Sequence, residues 1–416
     1  MKRRERVTVL LPQFLEGPGA WRALGLAQAL ASAGCDTRLL HWGRSASPAI
    51  QSLAGDVRLV PLELRPAWRP SRGRRLWGRA RWLQWWQLGR NDIGAAIAEG
   101  RPDVVLVTQA WPGLVHQARR GLRQGAGGRG SGRLAIDLVD WHPRGEAQAR
   151  RMRLTGRWTP QTAAEQVGRV TVVSEYAAET LGRGGAATMA VPPLFSGGIS
   201  QVAQACDSAA GRGSELAETT RHTEGSADPP PLRLLISGTA PWLDRGALAN
   251  CVNAVAALWD DARPDQPRVE LHIAGHPRHA VEALPDVEPA ALSGVVFHGP
   301  LKAPRIWALV AACDFLVLQR PADERWARMG FPSKISEAWT LGTPVITNLV
   351  SDVGSYARDG FNAIVLADDS PEAMSKGLAR ALAAGDAFDR GAIAGWAGHN
   401  FAPEVYGEEL RGFLLG

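Results

Sequence analysis

The residues best suited to bind a ligand stand in one stretch, 330–347, which reads GFPSKISEAWTLGTPVIT. Residues 330–333 have turn chemistry, because proline fixes φ and glycine permits any φ. The pattern predicts a short helix over 334–341 with Ser333 as its cap. Glu337 lies one turn into that helix, where a carboxylate can accept hydrogen bonds from a ribose diol. An ordinary surface glutamate is the alternative.

The neighbours of this stretch indicate where its helix begins. A predicted buried strand ends at Leu318, and a second one follows over 345–347. A helix that begins after a strand directs its free N–H groups and its positive end toward one edge of a parallel sheet. That edge is where doubly wound sheets bind nucleotides and phosphates. The stretch therefore predicts a nucleotide or phosphate site.

A second candidate follows the strand predicted over 133–139. Asp140 and His142 come directly after it, in the run DWHPR. Polar groups at the carboxyl end of a parallel strand lie at the ligand edge of the sheet. A histidine there can move or orient a proton near neutral pH, and a neighbouring carboxylate can fix its tautomer. The alternative is a histidine with a purely structural hydrogen bond.

The elements that must position these residues alternate between strand and helix in both halves of the chain. Strands are predicted over 7–11, 36–41, 103–108, 133–139 and 170–173, and again over 232–236, 269–274, 295–297, 315–318 and 345–347. This alternation is typical of parallel sheets with helices on both faces. A glycine loop containing Gly17 and Gly19 follows the first strand, and such a loop lets a ligand approach the backbone.

The bulk composition indicates two ordinary globular domains. The chain has 416 residues, 45% of them hydrophobic and 21% charged. Its four cysteines are far apart, which suggests neither a disulfide framework nor a zinc site and fits a reducing cytoplasm. The apolar run that begins at Val7 stops at Pro12, too early for an export signal. No run approaches the roughly 20 apolar residues that span a bilayer.

Charge is unevenly distributed along the chain. Residues 1–195 hold 29 basic and 14 acidic residues, a net of +15, and the remainder holds 18 and 27, a net of −9. The segment 58–90 contains nine arginines, five tryptophans and one acidic residue. Tryptophan with arginine on a helix is typical of a membrane interface, so we predict an anionic membrane surface as partner of residues 65–90. Plain packing of the tryptophans is the alternative, and no nucleic-acid module accompanies the arginines.

The glycine-, serine- and proline-rich segment 196–231 interrupts the alternation, and we interpret it as a low-complexity linker. This gives a domain over 1–195 and a second over 232–400. The segment 401–416 is predicted to be helical. No Asp-x-Asp motif occurs at a strand end, so we expect no metal and no cofactor.

The stretch at 330–347 resembles the donor-site signature of glycosyltransferases with the GT-B fold, in particular the large retaining type called glycosyl transferases group 1. Here the motif has a Pro-Ser-Lys form. The resemblance implies two Rossmann-like doubly wound domains that face each other across a cleft. It implies an acceptor-binding first domain, a second domain that binds a nucleotide sugar, and a C-terminal helix that returns to the first. The first of the family's two paired glutamates would fall on Met329, and Glu337 matches the second.

The resemblance also implies roles for individual residues. Glu337 would bind the ribose, and Lys334 and Arg245 the diphosphate, with Thr239 after Gly238 where relatives carry a first basic residue. The backbone of the turn would contact the donor phosphate and sugar; its residues are Gly330, Phe331, Pro332 and Ser333. Gly17 and Gly19 would frame the cleft, and Asp140 and His142 would lie near the reacting sugar. His276 ends a strand near the family's base pocket, unless it is a solvated loop residue.

These inferences predict a glycosyltransferase. It would move a sugar from a nucleotide-diphosphate sugar to a lipid-linked or polysaccharide acceptor in envelope assembly, in the cytoplasm or on the inner face of the membrane. Retention is expected from the wider family, whereas relatives of the Asp-Trp-His type invert. The alternatives are a nucleotide-sugar epimerase and a degenerate member that binds nucleotide or membrane only.

Overall fold

The computed structural model describes residues 3–15, 19–43, 46–62, 92–108, 112–125, 132–139, 159–209, 231–238, 241–260 and 269–416. The chain forms two compact units. Met1–Leu194 and Ala402–Gly416 make up the first, and Phe195–Phe401 makes up the second. Each unit is built around a parallel sheet of its own.

Seven parallel strands form the sheet of the first unit. They are β1 (Arg6–Phe14), β2 (Asp36–Trp42), β3 (Arg58–Leu62), β4 (Val104–Thr108), β5 (Arg133–Leu138), β6 (Arg169–Val172) and β7 (Ala187–Ala190). Their order is β3-β2-β1-β4-β5-β6-β7, so the direction of winding reverses between β1 and β4. Helices cover the sheet, namely α1 (Ala20–Ser32), α2 (Pro48–Ala54), α3 (Asp92–Gly100), α4 (Pro112–Gly125), α5 (Pro160–Val167) and α6 (Glu175–Gly182).

The second unit repeats this plan with six strands. They are β8 (Leu232–Ser237), β9 (Val269–Ala274), β10 (Val295–Gly299), β11 (Phe315–Leu318), β12 (Val345–Asn348) and β13 (Ala363–Leu366). Their order is β10-β9-β8-β11-β12-β13, and every pairing is parallel. The carboxyl ends of β8 and β11 are therefore adjacent at the point where the winding reverses, which is the ligand edge of such a sheet.

Helices cover both faces of this second sheet. They are α7 (Gly198–Ala209), α8 (Pro241–Asp260), α9 (Arg278–Glu282), α10 (Ala303–Ala312), α11 (Arg325–Met329), α12 (Ser333–Thr340), α13 (Val353–Tyr356), α14 (Pro371–Ala384) and α15 (Arg390–Phe401), with a 3-10 turn at Pro289–Leu292. Apolar side chains of α8 and α14 pack on one face of the sheet. On α10 and α12 the tryptophans Trp307 and Trp339 are fully buried.

The last helix, α16 (Pro403–Leu415), belongs to the first unit and packs against α1. Gly407 allows the close approach, because a Cβ atom there would lie 2.5 Å from the carbonyl oxygen of Ala29. Arg411 donates to both carboxylate oxygens of Glu5, each at 3.0 Å. The C-terminal segment is thus tied by packing and by charge to the unit that contains β1.

The predicted linker 196–231 is not irregular throughout. Its first part forms α7, which packs against α10. Ile199 and Ala203 are buried, and their spacing of four residues places them on one face of a helix. The glycine-, serine- and alanine-rich composition obscured this short apolar stripe in the sequence.

Arg22 and Asp137 form a buried ion pair in the first unit, near the carboxyl end of β5. The two side chains are 6% and 0% exposed, and Nη2 of Arg22 lies 2.9 Å from Oδ1 of Asp137. Arg22 also donates to the carbonyl oxygens of Val191 and Pro192, at 2.6 and 2.7 Å. Thr171 donates to Oδ1 of Asp137 at 2.7 Å. This pair joins α1 to β5, β6 and the segment after β7 at the carboxyl edge of the sheet.

Within the described ranges, every helix is too short or too polar to cross a bilayer. Cys35, Cys206, Cys251 and Cys313 are all free thiols.

Candidate functional site

The turn between α11 and α12 brings the start of α12 to the ligand edge of the second sheet. Pro332 occupies the N-cap position, and no side chain caps the helix. The predicted capping role of Ser333 is wrong, because Ser333 is the first helical residue and its carbonyl oxygen accepts from the Ser336 hydroxyl at 3.0 Å. A helix start without a side-chain cap retains N–H groups that an anion can satisfy. At the other end, Gly342 has a φ of +78°, the left-handed conformation that glycine favours.

A cluster of aromatic side chains holds this turn from behind. Phe331 is buried and packs edge-on against Tyr356, with ring centroids 5.7 Å apart, and it also contacts Phe401. Trp339 of α12 packs edge-on against Trp396 at 5.2 Å. The side chain of Phe331 therefore packs in the core, and the turn presents its backbone to a ligand.

Glu337 lies on α12 and is held by a tryptophan of the neighbouring helix. Nε1 of Trp307 donates to Oε1 of Glu337 at 2.8 Å. The residue is half-buried, and burial raises the pKa of its carboxyl group, which Trp307 and Lys334 lower only in part. Among the described residues this is the one hydrogen bond found to the carboxylate. Oε2 is thus available to accept from a polar ligand.

Lys334 and Asp244 meet although they are distant in the sequence. Nζ of Lys334 lies 3.5 Å from Oδ2 of Asp244, and Nε2 of His276 lies 3.2 Å from the same oxygen. His276 is fully buried, so its reading as a solvated loop residue is wrong. Burial would raise the pKa of Asp244, but Lys334, His276 and Arg320 together outweigh that effect and hold the pKa below its usual value.

Two glycines allow the backbone to lie directly on this charged group. A Cβ atom at Gly238 would lie 2.1 Å from Oδ2 of Asp244 and 2.5 Å from Nε2 of His276. A Cβ atom at Gly275, whose φ is +85°, would lie 1.9 Å from the carbonyl oxygen of Gly238. Such distances exclude side chains at both positions. The loop after β8 and the loop after β9 therefore require glycine because of the group that they enclose.

Two arginines stand near this group. Arg245 lies in the first turns of α8, and its side chain is exposed. Arg320 follows β11, and its backbone exchanges two hydrogen bonds with the side chain of Asn348, at 3.0 and 2.7 Å. The guanidinium carbon of Arg320 lies 5.4 Å from the ring centroid of Trp326. A Cβ atom at Gly330 would lie 3.7 Å from its Nη1 atom, so Arg320 is beside the turn.

Several residues predicted from the sequence lie outside the described residues. They are Gly17, Asp140, His142, Thr239 and the arginine- and tryptophan-rich segment 65–90. Gly19 is described and precedes α1 as its N-cap residue. In the described part of the chain, no group of three or more His, Cys, Asp or Glu side chains could hold a metal ion.

The structure thus brings together Glu337, Lys334 and the turn before them, all of which the sequence singled out. It adds Trp307, Asp244 and Arg320, which the sequence analysis missed. Asp244 stands directly before Arg245, so the signal for it was an acidic residue next to a predicted diphosphate contact. No local pattern distinguishes Trp307, which is one apolar position of α10 among several.

Comparison with known proteins concerns the fold and the family of the second unit. Residues 232–384 match the family described as glycosyl transferases group 1. No curated protein matches the sequence. Among solved structures, similarity extends over nearly the whole chain at low identity, so it shows the fold.

Three of these structures illustrate the kinds of protein that are similar in fold. HepE of Anabaena, solved in complex with UDP, has a TM-score of 0.58 and 14% identity, with 98% of this chain and 99% of that chain covered. A trehalose 6-phosphate synthase of Burkholderia multivorans has a TM-score of 0.61 and 12% identity, covering 99% and 98%. A structure described as a UDP-N-acetylglucosamine 2-epimerase of Listeria monocytogenes has a TM-score of 0.56 and 13% identity, covering 98% and 94%.

Two Rossmann-like units, each with a parallel sheet, define the GT-B fold class. Residues 232–384 of the second unit match the family of glycosyl transferases group 1, so this unit has a glycosyltransferase-type domain. Sugar transfer is the activity that a domain of this kind supports.

Proposed function

We propose that the donor is a nucleotide-diphosphate sugar bound at the start of α12, and that its sugar passes with retention to a lipid-linked or polysaccharide acceptor in envelope assembly. One observation carries the donor site. A lysine in the first turn of α12 and a glutamate one turn later stand at the ligand edge of the sheet in the group 1 domain. Their chemistry matches the two polar parts of such a donor, the diphosphate and the ribose.

Glu337 is suited to the ribose. Trp307 holds one of its oxygens, and the other remains for a hydroxyl group. A carboxylate that is already oriented loses little side-chain entropy when a diol binds. The proposed hydrogen bonds would also compensate the burial that raises the pKa of this group.

Lys334, Arg245 and the N-terminus of α12 are suited to the diphosphate. The positive end of a helix and two cations stabilise the negative charge that develops on the leaving nucleotide diphosphate. Arg245 is exposed on the first turns of α8, where it can turn toward a phosphate and bind it through two N–H groups. We propose that these groups stabilise the charge without a metal ion.

The acceptor is proposed from the charge of the first half of the chain. Residues 1–195 carry a net charge of +15, which favours a partner on an anionic surface. A lipid-linked sugar at the inner face of the membrane, or a growing polysaccharide there, meets that condition. Asp140 and His142 remain predicted for the region of the reacting sugar, since a carboxylate and a histidine can together manage a proton.

The test is a panel of UDP-, GDP- and ADP-sugars, each incubated with the protein with and without membrane lipid extracts. We expect one donor to be hydrolysed slowly when no acceptor is present. With an acceptor it should be consumed faster, its sugar being transferred to the acceptor with release of the nucleoside diphosphate, and NMR of that product should show an unchanged anomeric configuration. An inverted product would remove retention. Conversion of the donor without an acceptor into an isomeric nucleotide sugar would identify an epimerase. Donor binding without any turnover would identify a degenerate member of the family.

A further inference from the structure

Asp244 is a buried carboxylate at the edge of the proposed diphosphate site. Its side chain is 11% exposed, and its Oδ2 atom lies 3.5 Å from the Lys334 ammonium group. We infer that Asp244 is a positioning residue, which holds the ammonium group of Lys334 at the start of α12 so that a diphosphate meets it already oriented. The inference rests on the proposed function of Lys334.

The surroundings of Asp244 restrict the position of its carboxylate. Asp244 lies in the first turns of a 20-residue helix, α8, where the positive end of the helix favours a carboxylate. His276 contacts Oδ2 from the buried side at 3.2 Å, and the backbone of Gly238 covers both groups. A carboxylate fixed in this way can orient a flexible partner.

Lys334 is the partner that needs orientation. Its side chain is 27% exposed, and lysine has a long stem with many rotamers. A free lysine would lose that freedom when a diphosphate binds, which weakens binding. Contact with Asp244 removes part of the freedom before the ligand arrives.

The inference can be tested by whether neutralisation of Asp244 weakens or strengthens diphosphate binding. A carboxylate beside an anion site repels the anion, so Asp244 as a mere counter-ion of Lys334 and Arg320 would oppose diphosphate binding. Its neutralisation would then strengthen binding. As a positioning residue, its neutralisation weakens binding, and the effect depends on Lys334.

The experiment is a double-mutant cycle measured by calorimetry on the full chain. The probe is whichever of UDP, GDP and ADP binds the wild-type protein most tightly. The variants are Asp244→Asn, Lys334→Met and the two combined. Asp359→Asn serves as the matched control, because it breaks an exposed ion pair with Arg380 on a different part of the second unit. Unfolding curves accompany each variant, and Asp244→Ser replaces Asp244→Asn if the latter does not fold.

We expect Asp244→Asn to weaken binding roughly fivefold, the cost of immobilising about one side chain. In the Lys334→Met background, Asp244→Asn should change affinity by less than about twofold. The effects of the two substitutions are not additive, because Asp244 acts through the ammonium group that Lys334→Met removes. Asp359→Asn should bind as the wild type does.

The outcomes distinguish failure of the positioning role from failure of the proposed donor site. Tighter binding by Asp244→Asn, or an equal loss in both backgrounds, would overturn the positioning role while leaving the donor site in place. Wild-type affinity of Lys334→Met would instead remove Lys334 from the proposed diphosphate site. Binding of none of the three nucleotides would count against the proposed function itself.

Discussion

Trp307 of α10 donates its indole N–H to the Glu337 carboxylate of α12 at 2.8 Å. Trp307 is fully buried, so it is a rigid donor, and Glu337 is half-buried against it. The hydrogen bond reduces the cost of enclosing a carboxylate but does not abolish it, since burial still raises the pKa of Glu337. A buried carboxylate with a raised pKa is typical of a binding site, because a ligand can supply the missing hydrogen bonds.

Replacement of Glu337 by glutamine should weaken nucleotide binding while it keeps the hydrogen bond from Trp307. The amide oxygen of Glu337→Gln still accepts from Trp307, but it no longer presents a carboxylate to a ribose diol. We expect at least tenfold weaker binding of the nucleoside diphosphate, about 1.4 kcal/mol, by calorimetry. The control is Glu372→Gln, an exposed glutamate in the first turn of α14. Unchanged affinity of Glu337→Gln would remove the proposed ribose contact.

The raised pKa of Glu337 predicts a pH dependence of stability with a definite sign. The folded state binds the Glu337 proton more tightly than the unfolded state does, so this group favours folding in acid. Its contribution is lost as pH rises from the ordinary pKa of a glutamate through the raised value. Glu337→Gln should therefore gain stability relative to the wild type across that window, measured by urea unfolding at several pH values. A constant difference between the two proteins would contradict the prediction.

Removal of one partner from the buried ion pair of Arg22 and Asp137 should destabilise the first unit strongly. Asp137→Ala leaves a buried guanidinium group with its charge uncompensated, which costs about 3–5 kcal/mol. The control is Glu408→Ala, which breaks an exposed pair with Arg411 and should cost about 0–1 kcal/mol. Denaturant unfolding measures both. A similar small loss for the two variants would show that the buried pair carries no special weight.

A methyl group at Gly238 should displace the charged group beneath it. Gly238→Ala places its Cβ within 2.1 Å of Asp244, so the loop or the carboxylate must move, at a cost of about 1–3 kcal/mol. The matched control is Gly246→Ala on α8, whose Cβ meets nothing within 4 Å. It should gain about 0.5–1 kcal/mol from the removal of a helical glycine. Equal stability of the two alanine variants would contradict the close packing.

The prediction for the arginine- and tryptophan-rich segment 65–90 depends on the sequence alone. Reversal of the arginines at 72, 74, 75, 79 and 81 to glutamate should release the protein from anionic vesicles, since each basic residue near such a surface contributes roughly 1 kcal/mol. Neutral vesicles, which should bind neither protein, are the control in a sedimentation assay. Unchanged partition onto anionic vesicles would favour plain packing of these residues.

Periodicity and turn chemistry predicted ten of the thirteen strands found in the described residues, and they missed β3, β7 and β13. Strand β9 was predicted at its observed bounds, and α12 was placed one residue late because proline took the cap position that serine was expected to hold. The helix α7 was missed because a short apolar stripe in a glycine- and serine-rich segment is a weak signal. The family match over 232–384 supports the resemblance that the turn at 330–333 suggested.

Turn, helix and strand patterns are local, so the order of residues alone determined that a glycine–proline turn, a lysine and a glutamate stand together at the start of one helix. The partners of those residues are not local. Asp244 is 90 positions from Lys334, and Trp307 is 30 positions from Glu337. Only the tertiary structure decided these contacts, because the strand order brings the ends of β8 and β11 side by side and close packing then selects which side chains meet there.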